Sequence, residues 1–217
     1  MARLDLTLYL VTDRSLARGR ATADIVREAV AGGASCVQLR EKHCGTREFI
    51  EEARAVRAVL QGTGVPLIIN DRVDVALAAQ ADGVHLGQQD MTLADARRLV
   101  PKNWIIGVSA ESVKDAVRAE QEGADYVGAS PVFATPTKTD TSPPLGLSGL
   151  AAMCKAVAIP VVAIGGIHLS NASQVMDAGA AGLAVVSAIV SAPDPRVAAA
   201  ELWRVIVASQ QRDLPTL

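Results

Sequence analysis

Residues 67–90 read LIINDRVDVALAAQADGVHLGQQD. The stretch opens on a short aliphatic run, Leu67-Ile68-Ile69, that stops at Asn70-Asp71. A segment with apolar residues at helical spacing follows over 73–79, and a second short run, Gly83-Val84-His85-Leu86, ends in Gly87-Gln88-Gln89-Asp90. A strand, a helix and a second strand within about 25 residues make a βαβ unit, the building block of parallel sheets. Continuous apolar runs, as opposed to alternating ones, are what a parallel strand covered on both faces requires. Each run also gives way to carboxylates and amides at its carboxyl end.

Outward from this unit the same cadence fills the chain. The predicted strands are 6–11, 36–40, 66–70, 83–86, 105–109, 126–130, 161–164 and 183–186, and helix-like segments include 23–31, 48–61, 73–79, 93–100, 113–122 and 171–178. Eight strand–helix units suit a closed α/β barrel, whereas an open doubly wound sheet needs only five or six strands. Neither a GxGxxG nor a P-loop signature is present to favour the open sheet. The turns Gly32-Gly33, Gly123-Ala124 and Gly179-Ala180 repeat a glycine where a helix ends and the next strand begins, as a left-handed C-terminal cap demands. The expected fold is a single-domain (β/α)8 TIM barrel over residues 1–217.

Composition sets the limits. Half of the 217 residues are hydrophobic and only 3% are aromatic, so the core must be aliphatic. The 21 basic and 23 acidic residues leave a net charge of −2, which argues against nucleic acid or an anionic membrane as partner. No apolar run approaches the roughly 18 residues that a membrane span needs. The N-terminus, with acidic residues flanking its apolar run, reads as a strand and not as a leader. Cys36, Cys44 and Cys154 are odd in number and lack CxxC spacing, which fits reduced thiols and a cytoplasmic setting. The oligomeric state is not legible.

In a parallel barrel the βα loops share one face, so polar residues at strand ends are the candidates for chemistry. Alternation puts Gln38, Arg40 and Lys42 on one side of the second strand, suited to a phosphate. Asn70 and Asp71 fit either a helix N-cap or a site, and the same two readings hold for Asp90 and for Ser109. Asp71 and Asp90 on neighbouring loops could share one Mg2+, which takes a few carboxylate oxygens together with phosphate and water. His85 reads as an inward barrel-filling residue in preference to a metal ligand. On the other side, Thr135, Pro136, Thr137 and Lys138 belong to a long Thr- and Pro-rich stretch, 133–147, a candidate lid. Gly165-Gly166 and Val186-Ser187 end the seventh and eighth strands, where such barrels usually grip a phosphate. Two anion sites result, one with cations and carboxylates, the other with neutral donors. No Ser-His-Asp or Cys-His arrangement is evident.

The stretches LYLVTDRS, VQLREK, LIINDRVDVALAAQADGVHLGQQD, IIGVSAES, GADYVGASPVFATPTKTD, PPLGL, PVVAIGGI and AVVSAI together resemble the thiamine phosphate synthase family, from about residue 8 to 189. The resemblance implies a transferase that condenses hydroxymethylpyrimidine diphosphate with thiazole phosphate, releasing pyrophosphate. It implies that Gln38, Leu39, Arg40, Glu41, Lys42, Asn70, Ser109 and Lys138 surround the pyrimidine diphosphate, with Arg40, Lys42, Ser109 and Lys138 acting in catalysis. It implies Mg2+ on Asp71 and Asp90, and the thiazole phosphate on Thr135, Pro136, Thr137, Gly166, Val186 and Ser187. The alternatives are a tautomerase-like or other phosphate-binding barrel enzyme, and a non-catalytic metabolite-binding regulator.

Overall fold

A computed structural model describes residues 4–135 and 143–212. Among these residues eight parallel strands, β1 (Leu8–Val11), β2 (Cys36–Leu39), β3 (Leu67–Asn70), β4 (Gly83–Leu86), β5 (Ile105–Ala110), β6 (Tyr126–Ala129), β7 (Val161–Ile164) and β8 (Gly182–Val185), close into a barrel in sequence order. The ring shuts where β1 pairs with β8, with Tyr9 opposite Ala184. Around it lie α1 (Thr22–Ala31), α2 (Thr46–Leu60), α3 (Val73–Ala79), α4 (Leu93–Leu99), α5 (Val113–Gln121), α6 (Gly146–Ala156), α7 (Ala172–Asp177), α8 (Ser187–Val190) and α9 (Pro195–Arg212). No helix among the described residues is long and apolar enough to cross a membrane.

The ends of the strands differ from the sequence expectation by a residue or two, for local reasons. β2 stops at Leu39 because the Arg40 N–H turns to the Thr12 hydroxyl at 3.1 Å instead of the ladder. β8 stops at Val185 because Val186 adopts φ −111°, ψ −85° and turns the chain into α8. The final helix α9 was not foreseen, since the segment after Pro193 carries no motif. It packs on α1 and α7 and buries Ala199, Leu202 and Ile206. Its approach is so close that a Cβ on Gly32 would stand 2.3 Å from the Arg196 carbonyl oxygen. Gly33, Gly123 and Gly179 have φ of +108°, +89° and +97°, as their place after a helix requires.

Burial falls into two layers. Leu10, Val37, Leu39, Leu67, Ile69, Val84, Ile106 and Val127 face outward into the aliphatic shell between strands and helices. Leu6, Tyr9, Val11, Cys36, Ile68, Tyr126, Val162 and Ala184 face inward and fill the barrel's axis. Because successive residues alternate between these layers, Gln38 and His85 point inward while their neighbours Leu39 and Leu86 do not. The inner layer closes the lower barrel and leaves its carboxyl end open.

Candidate active site

The open end holds a cavity of about 880 Å³. Its lining includes Gln38, Arg40, Lys42, Asn70, Asp71, Asp90, Ser109, Thr135, Gly166, Val186 and Ser187, brought from seven of the eight strand ends. Leu39 and Glu41 are not brought there. Strand alternation sends Leu39 into the outer aliphatic shell and turns the Glu41 side chain toward Arg14, 3.6 Å away, so only their main chain is left for a ligand. Pro136, Thr137 and Lys138 lie outside the described residues. So does much of the stretch 133–147, whose later part opens α6.

The capping alternatives are settled by who caps each helix. The N-cap of α3 is Arg72, without a side-chain cap bond, so Asn70 and Asp71 do not serve there. The α4 cap is Thr92, which accepts from the Asp95 N–H, and the α5 cap is Ser112, which accepts from the Asp115 N–H. Asp90 and Ser109 are therefore free of capping duty. Asp71 has φ +62°, a conformation that aspartate tolerates better than most residues, and its N–H is tied to the His85 carbonyl at 2.8 Å.

Lys42 Nζ lies 2.5 Å from Asp71 Oδ2, and the Asp71 and Asp90 carboxyls are within hydrogen-bonding reach of each other. Burial and the neighbouring Asp71 push the Asp90 carboxyl above its ordinary range. Burial also disfavours the Asp71 charge, but hydrogen bonds from Asp90 and Lys42 outweigh it and hold Asp71 low. This split is what two carboxyls in one place produce when the nearby cation, Lys42, pairs with one of them. A divalent cation that prefers oxygen ligands would remove the conflict, so the pair fits Mg2+. Among the described residues there is no cluster of three or more His, Cys, Asp or Glu that could hold a metal.

Arg40 adds a second cation, steered by a 2.7 Å ion pair to Asp13, both side chains being largely buried. Among the described residues the opposite wall is built mainly of backbone and small or apolar side chains, with His168 beside them. Gly165 and Gly166 turn with φ +103° and +65°, and Val186-Ser187 leads from the end of β8 into α8. Neutral backbone and hydroxyl groups can hold a monophosphate there.

Three residues escaped the sequence reading. Tyr9 and Tyr126 line the cavity floor, their hydroxyls 2.7 Å apart. Only the parity of their strand positions hints at this. Asp13 escaped because its partner Arg40 is 27 residues away. A Ser–His contact, unseen in the sequence, also exists: His85 Nε2 is 3.0 Å from Ser109 Oγ. The other ring nitrogen meets the Tyr126 hydroxyl at 3.0 Å, at the place where a hydrolytic triad puts a carboxylate.

With this geometry in place, comparison with known proteins decides the family. Residues 8–189 match the family model for thiamine monophosphate synthase. The chain belongs to the thiamine monophosphate synthase family. A thiamine-phosphate synthase of Albidiferax ferrireducens is 56% identical over 93% of this chain and 92% of its own length. One from Chloroflexus aurantiacus is 52% identical over 97% of each. Among solved structures, the thiamine phosphate pyrophosphorylase from Pyrococcus furiosus superposes with a TM-score of 0.88 at 42% identity, covering 96% of this chain and 99% of that one. Model, relatives and structure agree on thiamine-phosphate synthase, an enzyme of the transferase class in thiamine biosynthesis.

Proposed function

We propose that the chain joins hydroxymethylpyrimidine diphosphate to thiazole phosphate, giving thiamine phosphate and pyrophosphate. The observation that carries this reading is the asymmetry of the cavity. Arg40, Lys42, Asp71 and Asp90 line one wall, while Gly165, Gly166, Val186 and Ser187 line the other. A leaving diphosphate needs cations and metal, whereas a monophosphate that is only held can be met by neutral donors.

In the exchange, the bond between the pyrimidine methylene carbon and the diphosphate oxygen breaks, and its electron pair leaves with pyrophosphate. The thiazole ring nitrogen supplies the pair for the new carbon–nitrogen bond. The family resemblance points to cleavage before attack, through a pyrimidine cation. No side-chain nucleophile is required. Arg40 and Lys42 offset charge that grows on the departing group, Lys138 joins them in this reading, and Gln38, Asn70 and Ser109 donate to or orient its oxygens. Thr135, Pro136, Thr137, Gly166, Val186 and Ser187 hold the second reactant against the first. Such alignment lowers a barrier by about 7–11 kcal/mol at best. Asp71 and Asp90 would hold Mg2+, which supplies further positive charge to the diphosphate when bound. A cytoplasmic location belongs to the same proposal, supported by the free thiols of Cys36, Cys44 and Cys154.

Supplying both substrates with Mg2+ tests the reading. One pyrophosphate should appear per thiamine phosphate formed, and Asp71→Ala or Asp90→Ala should lose metal-dependent turnover with an unchanged melting curve. Rearrangement of a single substrate without pyrophosphate release would replace it with an isomerase-type reading.

A further inference from the structure

Below the cavity an unbroken chain of hydrogen bonds crosses the barrel interior. Gln38 Nε2 donates to Tyr9 Oη at 3.0 Å, Tyr9 and Tyr126 hydroxyls meet at 2.7 Å, Tyr126 Oη meets His85 Nδ1 at 3.0 Å, and His85 Nε2 meets Ser109 Oγ at 3.0 Å. Its two ends, Gln38 and Ser109, are diphosphate residues in the reading above. The three between, Tyr9, Tyr126 and His85, have no role in it.

The barrel is shaped around this chain. Interior layers are ordinarily filled by branched aliphatic side chains. Here a Cβ on Gly107 of β5 would stand 2.1 Å from Tyr126 Cζ, and one on Gly128 of β6 would stand 3.2 Å from His85 Cε1. Glycine weakens a strand, so two glycines facing these rings mark space kept for them. Polar groups at such depth are tolerated only when bonded, and each of the three inner members, Tyr9, Tyr126 and His85, has a partner on both sides. Burial holds both phenols far above the usual tyrosine range, so they stay protonated and keep one hydrogen each to give.

The hydrogen count allows either direction along Tyr9, Tyr126 and His85, and an anion beside Ser109 selects the one in which the serine keeps its hydrogen to give. Tyr9 accepts from the Gln38 amide and gives its own hydrogen to Tyr126. Tyr126 then gives its hydrogen to His85 Nδ1, which fixes the imidazole proton on Nε2. That proton is donated to Ser109 Oγ, and the Ser109 hydroxyl is left to donate into the cavity. The reverse order would make Ser109 spend its hydrogen on His85 and present lone pairs to an anion. We infer that Tyr9, Tyr126 and His85 are positioning residues that hold Ser109 as a hydrogen-bond donor, and the Gln38 amide in one orientation, toward the diphosphate. The inference rests on the proposal that Ser109 contacts that group.

A double-mutant cycle on the KM for the pyrimidine diphosphate, at saturating thiazole phosphate, separates the two claims. Ser109→Ala should raise KM about tenfold, the size of one hydrogen bond to a charged acceptor. Tyr126→Phe, which keeps the ring, should raise it by about three- to tenfold. In the double variant the increase should stay near that of Ser109→Ala alone, because the phenol acts only through the serine. Tyr9→Phe breaks the chain one link further on and should show the same dependence on Ser109, which keeps the test open if Tyr126→Phe folds poorly. An unchanged KM in Ser109→Ala would overturn the placement of the serine at the diphosphate, and the inference with it. A normal serine effect combined with phenol effects that are absent, or that multiply onto it, would overturn the inference alone.

Discussion

Gly166 turns at φ +65°, and a Cβ there would stand 2.8 Å from both the Ala134 carbonyl oxygen and Phe133 Cβ. Gly166→Ala would therefore combine a left-handed strain of about 1–2 kcal/mol with displacement of the neighbouring loop. Steady-state kinetics should show KM for thiazole phosphate rising at least tenfold while that for the pyrimidine diphosphate changes by less than threefold. Equal effects on both would mean that the neutral wall does not belong to the thiazole substrate. At this scale the sequence is legible where strand parity and residue chemistry coincide, as at Gln38, Arg40 and Lys42. Parity also shows why Leu39 and Glu41, inside the same motif, point elsewhere. Asp71, Asp90 and Ser109 remained two-sided, because a carboxylate or hydroxyl before a helix looks alike whether it caps or binds. Only the observed caps, Arg72, Thr92 and Ser112, resolve them. The tyrosine pair was hidden for another reason: a side's parity says nothing of who stands opposite across 117 residues.

Between elements, the 3-10 turn after β1 acts as a clasp on the loop that carries the cations. Asp13 holds Arg40, while Arg14 reaches Glu41 from β2's extension and Glu48 and Glu52 from α2. Glu41 is the weak member. Its side chain is 5% exposed and its Oε1 has no hydrogen-bond partner. Burial, with Glu52 next, raises its carboxyl from an ordinary 4.5 to about 7. In that window the folded chain binds a proton that the unfolded chain has released, so stability falls as pH rises from about 4.5 to about 7 and stays low above it. Glu41→Gln should melt higher than the parent at pH 8, the difference shrinking to nothing near pH 4.5. A difference independent of pH would show that the carboxyl is already charged beside Arg14. The strands and most helices were legible because their apolar periods are clear. The α9 helix was not, since its weakly patterned face is read correctly only once α1 and α7 are there to cover it.

For the molecule as a whole, closure of the sheet does the essential work. Residues as far apart as Gln38 and Ser187 reach one mouth because every parallel strand delivers its carboxyl end to the same rim. The barrel and its polar rim were legible from eight repeated units, and so was the closeness of Asp71 to Asp90 on neighbouring loops, though the seat of Lys42 on the first belongs to three-dimensional geometry. That closeness carries the proposal of a metal-assisted cradle for the leaving group. Calorimetric titration with inorganic pyrophosphate tests it without relying on turnover. The parent protein should bind pyrophosphate at least tenfold more tightly with Mg2+ than with a chelator, and Asp71→Ala should lose that difference while keeping its melting temperature. Equal affinity with and without the metal in the parent, or a metal effect undiminished in Asp71→Ala, would contradict the account.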